Sequence, residues 1–198
     1  HMGVIYGPFH FMDAALNHGF YPRLTETMIE KTFRTFAGRT ESVSINVMLN
    51  DIVRPDFLPF IHEKALKHNM DMSRLVIEFV ESSDLDDYTE LVHDTINQLH
   101  EWGAKVAIDD FGSGYANFKY LKTLGVDILK IDGSLISNLD ESESDKAIVG
   151  AIAQMARNLK IDTIAEFVEN QAIQDLVCEL GIEWSQGYHF SKPALIEI

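Results

Sequence analysis

The residues best suited to chemistry are two adjacent carboxylates, Asp109 and Asp110, at the end of the apolar run Val106–Ile108. The run predicts a buried strand, and a turn containing Gly112 and Gly114 follows the carboxylates. Two like charges at the end of a buried strand lower stability unless a cation or a ligand compensates them. Because side chains alternate along a strand, we expect the two carboxylates to point to opposite faces or to turn into the loop. Such a pair could offer oxygen ligands to more than one metal ion.

The same pair also has a purely structural interpretation. In that interpretation, Asp110 caps the helix that follows and Asp109 is solvated. Only residues elsewhere in the chain can decide between a capped turn and a metal site.

Polar side chains also follow other apolar runs of the chain. Five predicted strands carry a charged or amide residue at or near the C-terminal end, namely Glu78, Asp109, Lys130, Glu166 and Gln186. A sixth predicted strand carries Asn46 within it. Hard oxygen ligands of this kind select Mg²⁺ or Mn²⁺ over zinc, and the sequence offers no pair of His or Cys residues at a spacing typical of zinc.

The residue types are compatible with two reactions. Two metal ions about 3.5–4 Å apart could hold a bridging hydroxide and a phosphodiester in line, with Lys130 contacting a phosphate or the attacking water. Alternatively, an enolase-like barrel would use Lys130 as a base and the acidic residues as Mg²⁺ ligands. The residue types alone leave both reactions open.

The chain around these residues alternates between strand and helix patterns six times. The predicted strands are Ser42–Met48, Leu75–Val80, Lys105–Ile108, Asp127–Ile131, Thr163–Ala165 and Glu183–Ser185. The predicted helices are residues 9–18, Leu24–Phe36, Pro55–Lys67, Tyr88–Trp102, Ala116–Thr123, a long helix from the polar segment Asp140–Asp145 through Lys160, and Asn170–Leu180. This alternation predicts βα units around a parallel sheet.

Polar residues at one end of successive parallel strands are typical of a (β/α)₈ barrel, whereas a doubly wound sheet has its site at one switch point. Six units are fewer than the eight of a full barrel, and the chain opens with helices. We therefore expect the first strands to be missing from this chain, on its N-terminal side.

Apolar spacing further predicts the buried face of two helices. The face is Tyr88, Leu91, Val92, Ile96 and Leu99 in one helix, and Ile148, Ile152, Met155 and Leu159 in the long one.

The composition limits the class of partner. The chain has 198 residues, with 16 Lys+Arg against 31 Asp+Glu, which gives a net charge of −15. Such a charge argues against binding to DNA or RNA polymers, and an anionic ligand would need metal ions to mediate its contact. No apolar run of about 20 residues is present, so we expect no membrane contact from this segment. A single cysteine, Cys178, excludes a disulfide framework and indicates a reducing compartment.

Five short segments resemble, in order and spacing, the motifs of the EAL domain family. These segments are Ile77–Glu81, Asp109–Tyr115, Leu129–Asp132, Ala165–Glu169 and Gln186–Tyr188. EAL domains are cyclic di-GMP-specific phosphodiesterases built on a modified TIM barrel. The resemblance covers nearly the whole chain. It implies one EAL-type domain over residues 1–198, an α/β fold of the TIM (β/α)₈ type, and metal-dependent opening of one phosphodiester bond to leave linear pGpG.

The resemblance also implies roles for individual residues. The metal ligands, for two Mg²⁺ or Mn²⁺ ions, would be Asn46, Glu78, Asp109, Asp110 and Glu166. The catalytic residues would be Lys130, which assists the attacking water, together with Asp109 and Glu166. Residues that support the site or bind the substrate would be Glu81, Gln186, Asp132 and Glu169. Glu81 would hold the loop after Asp110, which in many members joins a dimer interface.

The chain departs from the family pattern in several places. The Glu-Ala-Leu motif itself is absent, and Gly3–Ile5 resembles the segment that follows it. Val80 stands where the family usually has Thr, Phe167 where it usually has Gly, and Met48 where it usually has Ser. These departures keep a second function open, that of a catalytically degenerate EAL domain that serves as a cyclic di-GMP receptor or a protein-interaction module.

The resemblance further implies a bacterial, cytoplasmic signalling protein. We expect a homodimer, and regulatory domains that precede this segment in the parent protein.

Overall fold

The computed structural model describes residues 7, 10–80, 85–114, 118–194 and 196. Its strands are β1 Val43–Val47, β2 Leu75–Val80, β3 Lys105–Phe111, β4 Ile128–Ile131, β5 Asp162–Ala165 and β6 Trp184–Ser185. Its helices are α1 Met12–Asn17, α2 Tyr21–Phe36, α3 Leu49–Ile52, α4 Phe57–His68, α5 Leu85–Glu101, α6 Phe118–Leu124, α7 Gly133–Ile136, α8 Glu143–Leu159 and α9 Gln171–Glu179. Within the described ranges, no helix combines the length and the apolar character needed to cross a membrane.

The strands of the described residues form one parallel sheet, in which β1 to β6 lie side by side in the order of the chain. At least one helix separates each strand from the next. A doubly wound sheet reverses its strand order at a switch point, and this order shows no reversal over the described strands. The predicted α/β fold of the TIM (β/α)₈ type is therefore confirmed.

The two faces of the sheet differ because successive side chains alternate. In β2, Leu75, Ile77 and Phe79 are at most 1% exposed and belong to the hydrophobic core that the helices share. Each such side chain stabilises the fold by about 1.5–3 kcal/mol through burial. Glu78 and Val80 lie on the opposite face, which is the face that carries the polar residues.

Helix α5 confirms part of its predicted face. Val92, Ile96 and Leu99 are buried, but Tyr88 and Leu91 are exposed. The prediction for those two residues was wrong because the face that packs on the sheet is narrower than the apolar stripe.

The predicted face of α8 was also partly wrong. The helix buries Val149, Ile152, Ala153 and Ala156, whereas Ile148 and Leu159 are exposed. The two alanines are fully buried, so short side chains face the sheet and let the helix lie close to it. A search for large apolar residues alone misses such a face.

Two short helices that the sequence analysis did not predict, α3 and α7, follow β1 and β4 directly. In the first turn of α3, the carboxylate of Asp51 accepts a hydrogen bond from the backbone N–H of Met48, the residue before the helix, at 3.1 Å. The same carboxylate accepts one from the Thr25 hydroxyl at 3.0 Å. At α7, the carboxylate of Asp132 accepts a hydrogen bond from the backbone N–H of Ser134 at 3.0 Å. These caps fix the loops at the C-terminal edge of the sheet.

Candidate active site

A single ammonium group lies at the centre of the polar residues on the C-terminal edge of the sheet. Nζ of Lys130 is 3.0 Å from Glu78 Oε2, 2.7 Å from Asp109 Oδ1 and 2.9 Å from Glu166 Oε1. All four side chains are buried. The strands bring these side chains together because β2, β3, β4 and β5 are neighbours in the sheet, and each contributes one residue near or just after its C-terminal end.

The carboxylates around Lys130 raise the pKa of its ammonium well above the ordinary value. Burial alone would lower this pKa, but the close contacts with Asp109 and Glu166 and the charge of Glu78 outweigh burial. Lys130 is therefore a positive charge at neutral pH. Burial raises the pKa of Glu166, and the interaction with Lys130 only partly opposes this effect.

Asp110 joins the same cluster through an unusual backbone conformation. Its φ is +53°, in the left-handed region, and the pairing of β3 with β4 shifts register between Ile108 and Phe111. Carboxylate oxygens of Asp109, Asp110 and Glu166 consequently lie within 4.8 Å of one another. The expectation that Asp109 and Asp110 point to opposite faces, or into the loop, was wrong because the irregularity turns both towards one site.

Negative charge accumulates on this side of the site. Burial, followed by the charges of Asp109 and Asp132, raises the pKa of Asp110. Asp109 is also buried, so it is not the solvated member of a capped turn.

Two further predicted residues border the cluster. The amide of Gln186 donates a hydrogen bond from Nε2 to Glu166 Oε1. Asp132, next to Asp110 in space, caps α7. The hydrogen bond of Gln186 ties the loop after β6 to the cluster, and the Asp132 cap orders the loop after β4.

The remaining predicted residues lie further out. Asn46 is exposed and lies on β1 directly opposite Glu78. Glu169 is exposed and lines a cavity next to the cluster. Glu81 lies outside the described residues.

The donor set fits a divalent metal. Oδ1 of Asp109 is buried and, among the described residues, receives no hydrogen bond of good geometry, although Lys130 Nζ is 2.7 Å away. One ammonium cannot balance the charge of Glu78, Asp109, Asp110 and Glu166, and carboxylate oxygens are the ligands that hard cations such as Mg²⁺ and Mn²⁺ prefer. The cluster could therefore hold a metal ion.

An aromatic cavity of about 860 Å³ lies next to the cluster, and the sequence analysis did not predict it. Its lining includes Phe167, Tyr188 and Phe190, all three of which are more than half exposed, and Gln186, which contacts Glu166. The signal that could have indicated it is the spacing of large aromatic residues directly after strands that end in polar residues.

The model of the EAL domain family matches residues 1–193 of this chain. The chain belongs to the EAL domain family. This EAL domain is 33% identical over 191 residues to the cyclic di-GMP phosphodiesterase PdeF of Escherichia coli K12, a match that covers 94% of this chain and 25% of PdeF. It is 32% identical over 196 residues to the cyclic di-GMP phosphodiesterase PdeB of Shewanella oneidensis, covering 96% of this chain and 23% of PdeB.

Among solved structures, this EAL domain is similar to the phosphodiesterase PaMucR in complex with c-di-GMP. The TM-score is 0.88 at 28% identity, and the match covers 97% of this chain and 80% of the PaMucR chain. The predicted family is thus confirmed. The chain spans about a quarter of the length of the curated relatives it matches.

Proposed function

We propose that this EAL domain hydrolyses cyclic di-GMP to linear pGpG with the help of Mg²⁺ or Mn²⁺. The observation that carries the proposal is the buried cluster of Glu78, Asp109, Asp110 and Glu166 around Lys130. Relatives that cover nearly the whole chain at about one-third identity are cyclic di-GMP phosphodiesterases, and this favours hydrolysis over the receptor alternative.

The proposed metal ligands are the four acidic residues of the cluster and Asn46, which borders them from β1. When bound, two such ions would lower the pKa of a water molecule and stabilise the negative charge of the phosphodiester. Asp109 and Glu166 are also proposed catalytic residues, and both contact Lys130 directly.

Lys130 has a role that its environment defines. Because its Nζ lies within 3.0 Å of three carboxylates, it acts as a positive charge and hydrogen-bond donor that assists the attacking water. The named activity of the relatives argues against the enolase-like alternative, in which a neutral lysine removes a proton.

The supporting residues would keep the catalytic groups in place. Gln186 orients Glu166 through its hydrogen bond, and Asp132 lies against Asp110. Glu169 would contact the substrate from the adjacent cavity. A role for Glu81 at the loop after Asp110 stays a prediction.

We further propose that residues 1–198 act as one EAL-type phosphodiesterase domain in a homodimer, under the control of regulatory domains elsewhere in a longer parent protein. The chain covers only about a quarter of its curated relatives, which leaves room for such domains. The free thiol of Cys178 suits a reducing compartment, and we propose the cytoplasm.

Chromatography of cyclic di-GMP incubated with this chain and Mn²⁺ tests the function. We expect pGpG to appear, to be abolished by EDTA and to return when Mn²⁺ is added again. If the ligand stays intact, equilibrium dialysis with labelled cyclic di-GMP separates the alternatives. Binding without turnover would identify a receptor, and the absence of both would contradict the proposed substrate.

A further inference from the structure

Phe167, the residue after Glu166, adopts a backbone conformation that suits a glycine. Its φ is +53°, and its side chain is 58% exposed. Bulky residues rarely adopt the left-handed region because Cβ approaches the backbone carbonyl. The neighbouring residue holds the segment in place, since the N–H of Val168 donates to the Gln186 carbonyl at 3.0 Å and its carbonyl accepts from the His189 N–H at 3.0 Å. The backbone thus imposes the conformation of Phe167.

One side of the Phe167 ring is seated on Gly133, at the start of α7. A Cβ added to Gly133 would lie 2.3 Å from Cδ2 and 2.6 Å from Cγ of the ring, so only glycine leaves room for it. Gly133 is buried under this contact. The ring therefore bridges the loops after β4 and β5, the two strands that deliver Lys130 and Glu166.

The exposed part of the ring lines the aromatic cavity. Tyr188 and Phe190, which are 60% and 53% exposed, line the same cavity. Nζ of Lys192 lies 5.5 Å from the centre of the Tyr188 ring and adds a positive charge. The cavity, at about 860 Å³, falls within the range of about 300–1,000 Å³ that small-molecule sites occupy.

The cavity and the carboxylate cluster share a boundary. Gln186 lines the cavity and donates a hydrogen bond to Glu166, which contacts Lys130 at 2.9 Å. A phosphodiester held at the cluster would therefore place an attached nucleoside over the aromatic residues. Aromatic rings that are exposed next to a basic side chain are suited to stack a nucleobase.

We propose that Phe167 is a stacking platform for a purine base of the substrate, and that it determines substrate affinity. This inference rests on the proposed function, because the phosphodiester at the cluster fixes where the base lies. It accounts for a large apolar ring that is exposed and sits in an unfavourable backbone conformation beside the acidic cluster.

The test compares kinetics of the full chain with Mn²⁺ for Phe167→Ala, Phe167→Gly and Phe167→Tyr. Gly fits the left-handed conformation, so that variant folds even if the alanine variant does not. We expect KM for cyclic di-GMP to rise about tenfold or more in the alanine and glycine variants, with kcat within about twofold. The tyrosine variant should retain the KM of the parent chain, because it keeps the aromatic face.

Two controls separate stacking from a general structural effect. The inhibition constant of inorganic phosphate, an anion with no base or other aromatic group, should not change in any Phe167 variant. Phe20→Ala removes a ring at the start of α2 that is equally exposed, at 58%, and should leave KM unchanged. A KM for cyclic di-GMP that stays the same or falls in Phe167→Gly would overturn the proposal and show that the ring is idle or obstructs the site.

A binding experiment without turnover tests the inference independently of hydrolysis. Saturation-transfer NMR with GMP and Mg²⁺, where the phosphomonoester is not a substrate for phosphodiester hydrolysis, should show contacts from the base in the parent chain and in Phe167→Tyr, and their loss in Phe167→Gly. That result supports stacking even if cyclic di-GMP is not hydrolysed, in which case the proposed function alone fails. Equal GMP signals in the parent chain and Phe167→Gly contradict the stacking role even where hydrolysis is observed.

Discussion

Both the N-terminal and the C-terminal edge of the sheet carry carboxylates, but the two edges differ in how many hydrogen-bond donors each carboxylate has. At the N-terminal edge, the carboxylate of Asp127 accepts a hydrogen bond from the Val106 N–H at 2.7 Å and lies 2.8 Å from Nε2 of His100. The carboxylate of Glu183 accepts hydrogen bonds from the N–H, at 2.8 Å, and the hydroxyl of Thr163. Each of these carboxylates therefore has two donors of its own.

At the C-terminal edge, several carboxylates share one donor. Glu78, Asp109 and Glu166 all converge on Lys130, and Asp110 adds a further negative charge nearby. Hydrogen bonds that satisfy each carboxylate stabilise a fold, whereas carboxylates that compete for one cation leave charge available to a ligand. The comparison indicates that one edge maintains the structure and the other is available for the proposed chemistry, which is the usual division in barrels of this type.

Replacing one carboxylate by an amide at each edge should give the largest difference between the edges, and the difference should lie in the rate of hydrolysis. We expect Asp109→Asn to lower the rate of cyclic di-GMP hydrolysis by at least about 100-fold, because it removes a charged ligand of the reaction site. Asp127→Asn should leave the rate within about twofold. The measurement is the initial rate of pGpG formation by chromatography. Equal losses in the two variants would contradict the division between the edges, and an active Asp109→Asn would remove the site assignment.

Removing a lysine should lower the unfolding free energy much more at the C-terminal edge than at the N-terminal edge. Lys130→Met leaves buried carboxylates without their counterion, and we expect a loss of about 3–5 kcal/mol in the unfolding free energy of the metal-free protein. Mn²⁺ should restore part of that loss. The control is Lys105→Met, since Lys105 lies 3.6 Å from Asp162 and both side chains are about half exposed, so its effect should stay within about 1 kcal/mol. Urea denaturation measures the unfolding free energy of both variants, and similar losses of unfolding free energy in the two would contradict the special role of Lys130.

The smallest effect should be on thermal stability, through a pH-dependent contribution of Glu183 at the N-terminal edge. Burial raises the pKa of Glu183, but the hydrogen bonds from Thr163 outweigh it and hold the pKa below the ordinary value of 4.5. A lowered pKa stabilises the fold above the unfolded-state value, and that contribution is lost as the pH falls through the folded-state value. Glu183→Gln should therefore lower Tm by about 2–4 °C at pH 7, and the difference should shrink below about pH 4.5.

Calorimetric Tm values from pH 3 to pH 7 provide the measurement. Glu179→Gln is the control, because Glu179 is exposed and forms an ion pair with Lys146 at 3.7 Å. A difference for Glu183→Gln that does not depend on pH would show that lost packing, and not lost charge, causes the effect.

The sequence predicted the fold well because local signals and the overall architecture agree. Strand β2 has the predicted bounds, Leu75–Val80, and the polar ends of four neighbouring strands do meet around Lys130. This meeting follows from the geometry of parallel strands, whose C-terminal ends share one edge.

The features that were not predicted depend on contacts between distant parts of the chain. The turn of Asp110 towards Asp109 requires the register shift against β4, which no local pattern encodes. The buried alanines of α8 face the sheet because of how closely that helix approaches it. The contact of Phe167 with Gly133 joins two loops that lie 34 residues apart in the chain, so only the folded structure shows it.

The position of Lys130 also bears on when a newly made chain needs its metal. Zinc fingers and similar domains remain unfolded until the ion arrives, because nothing else holds their ligands together. Here the counterion is part of the polypeptide, and the raised pKa of Lys130 keeps it charged throughout the physiological range. The carboxylates can therefore assemble during folding, before any ion is captured. Depletion of the proposed metal would then stop the proposed hydrolysis without unfolding the domain, and renewed supply would restore hydrolysis by protein that already exists.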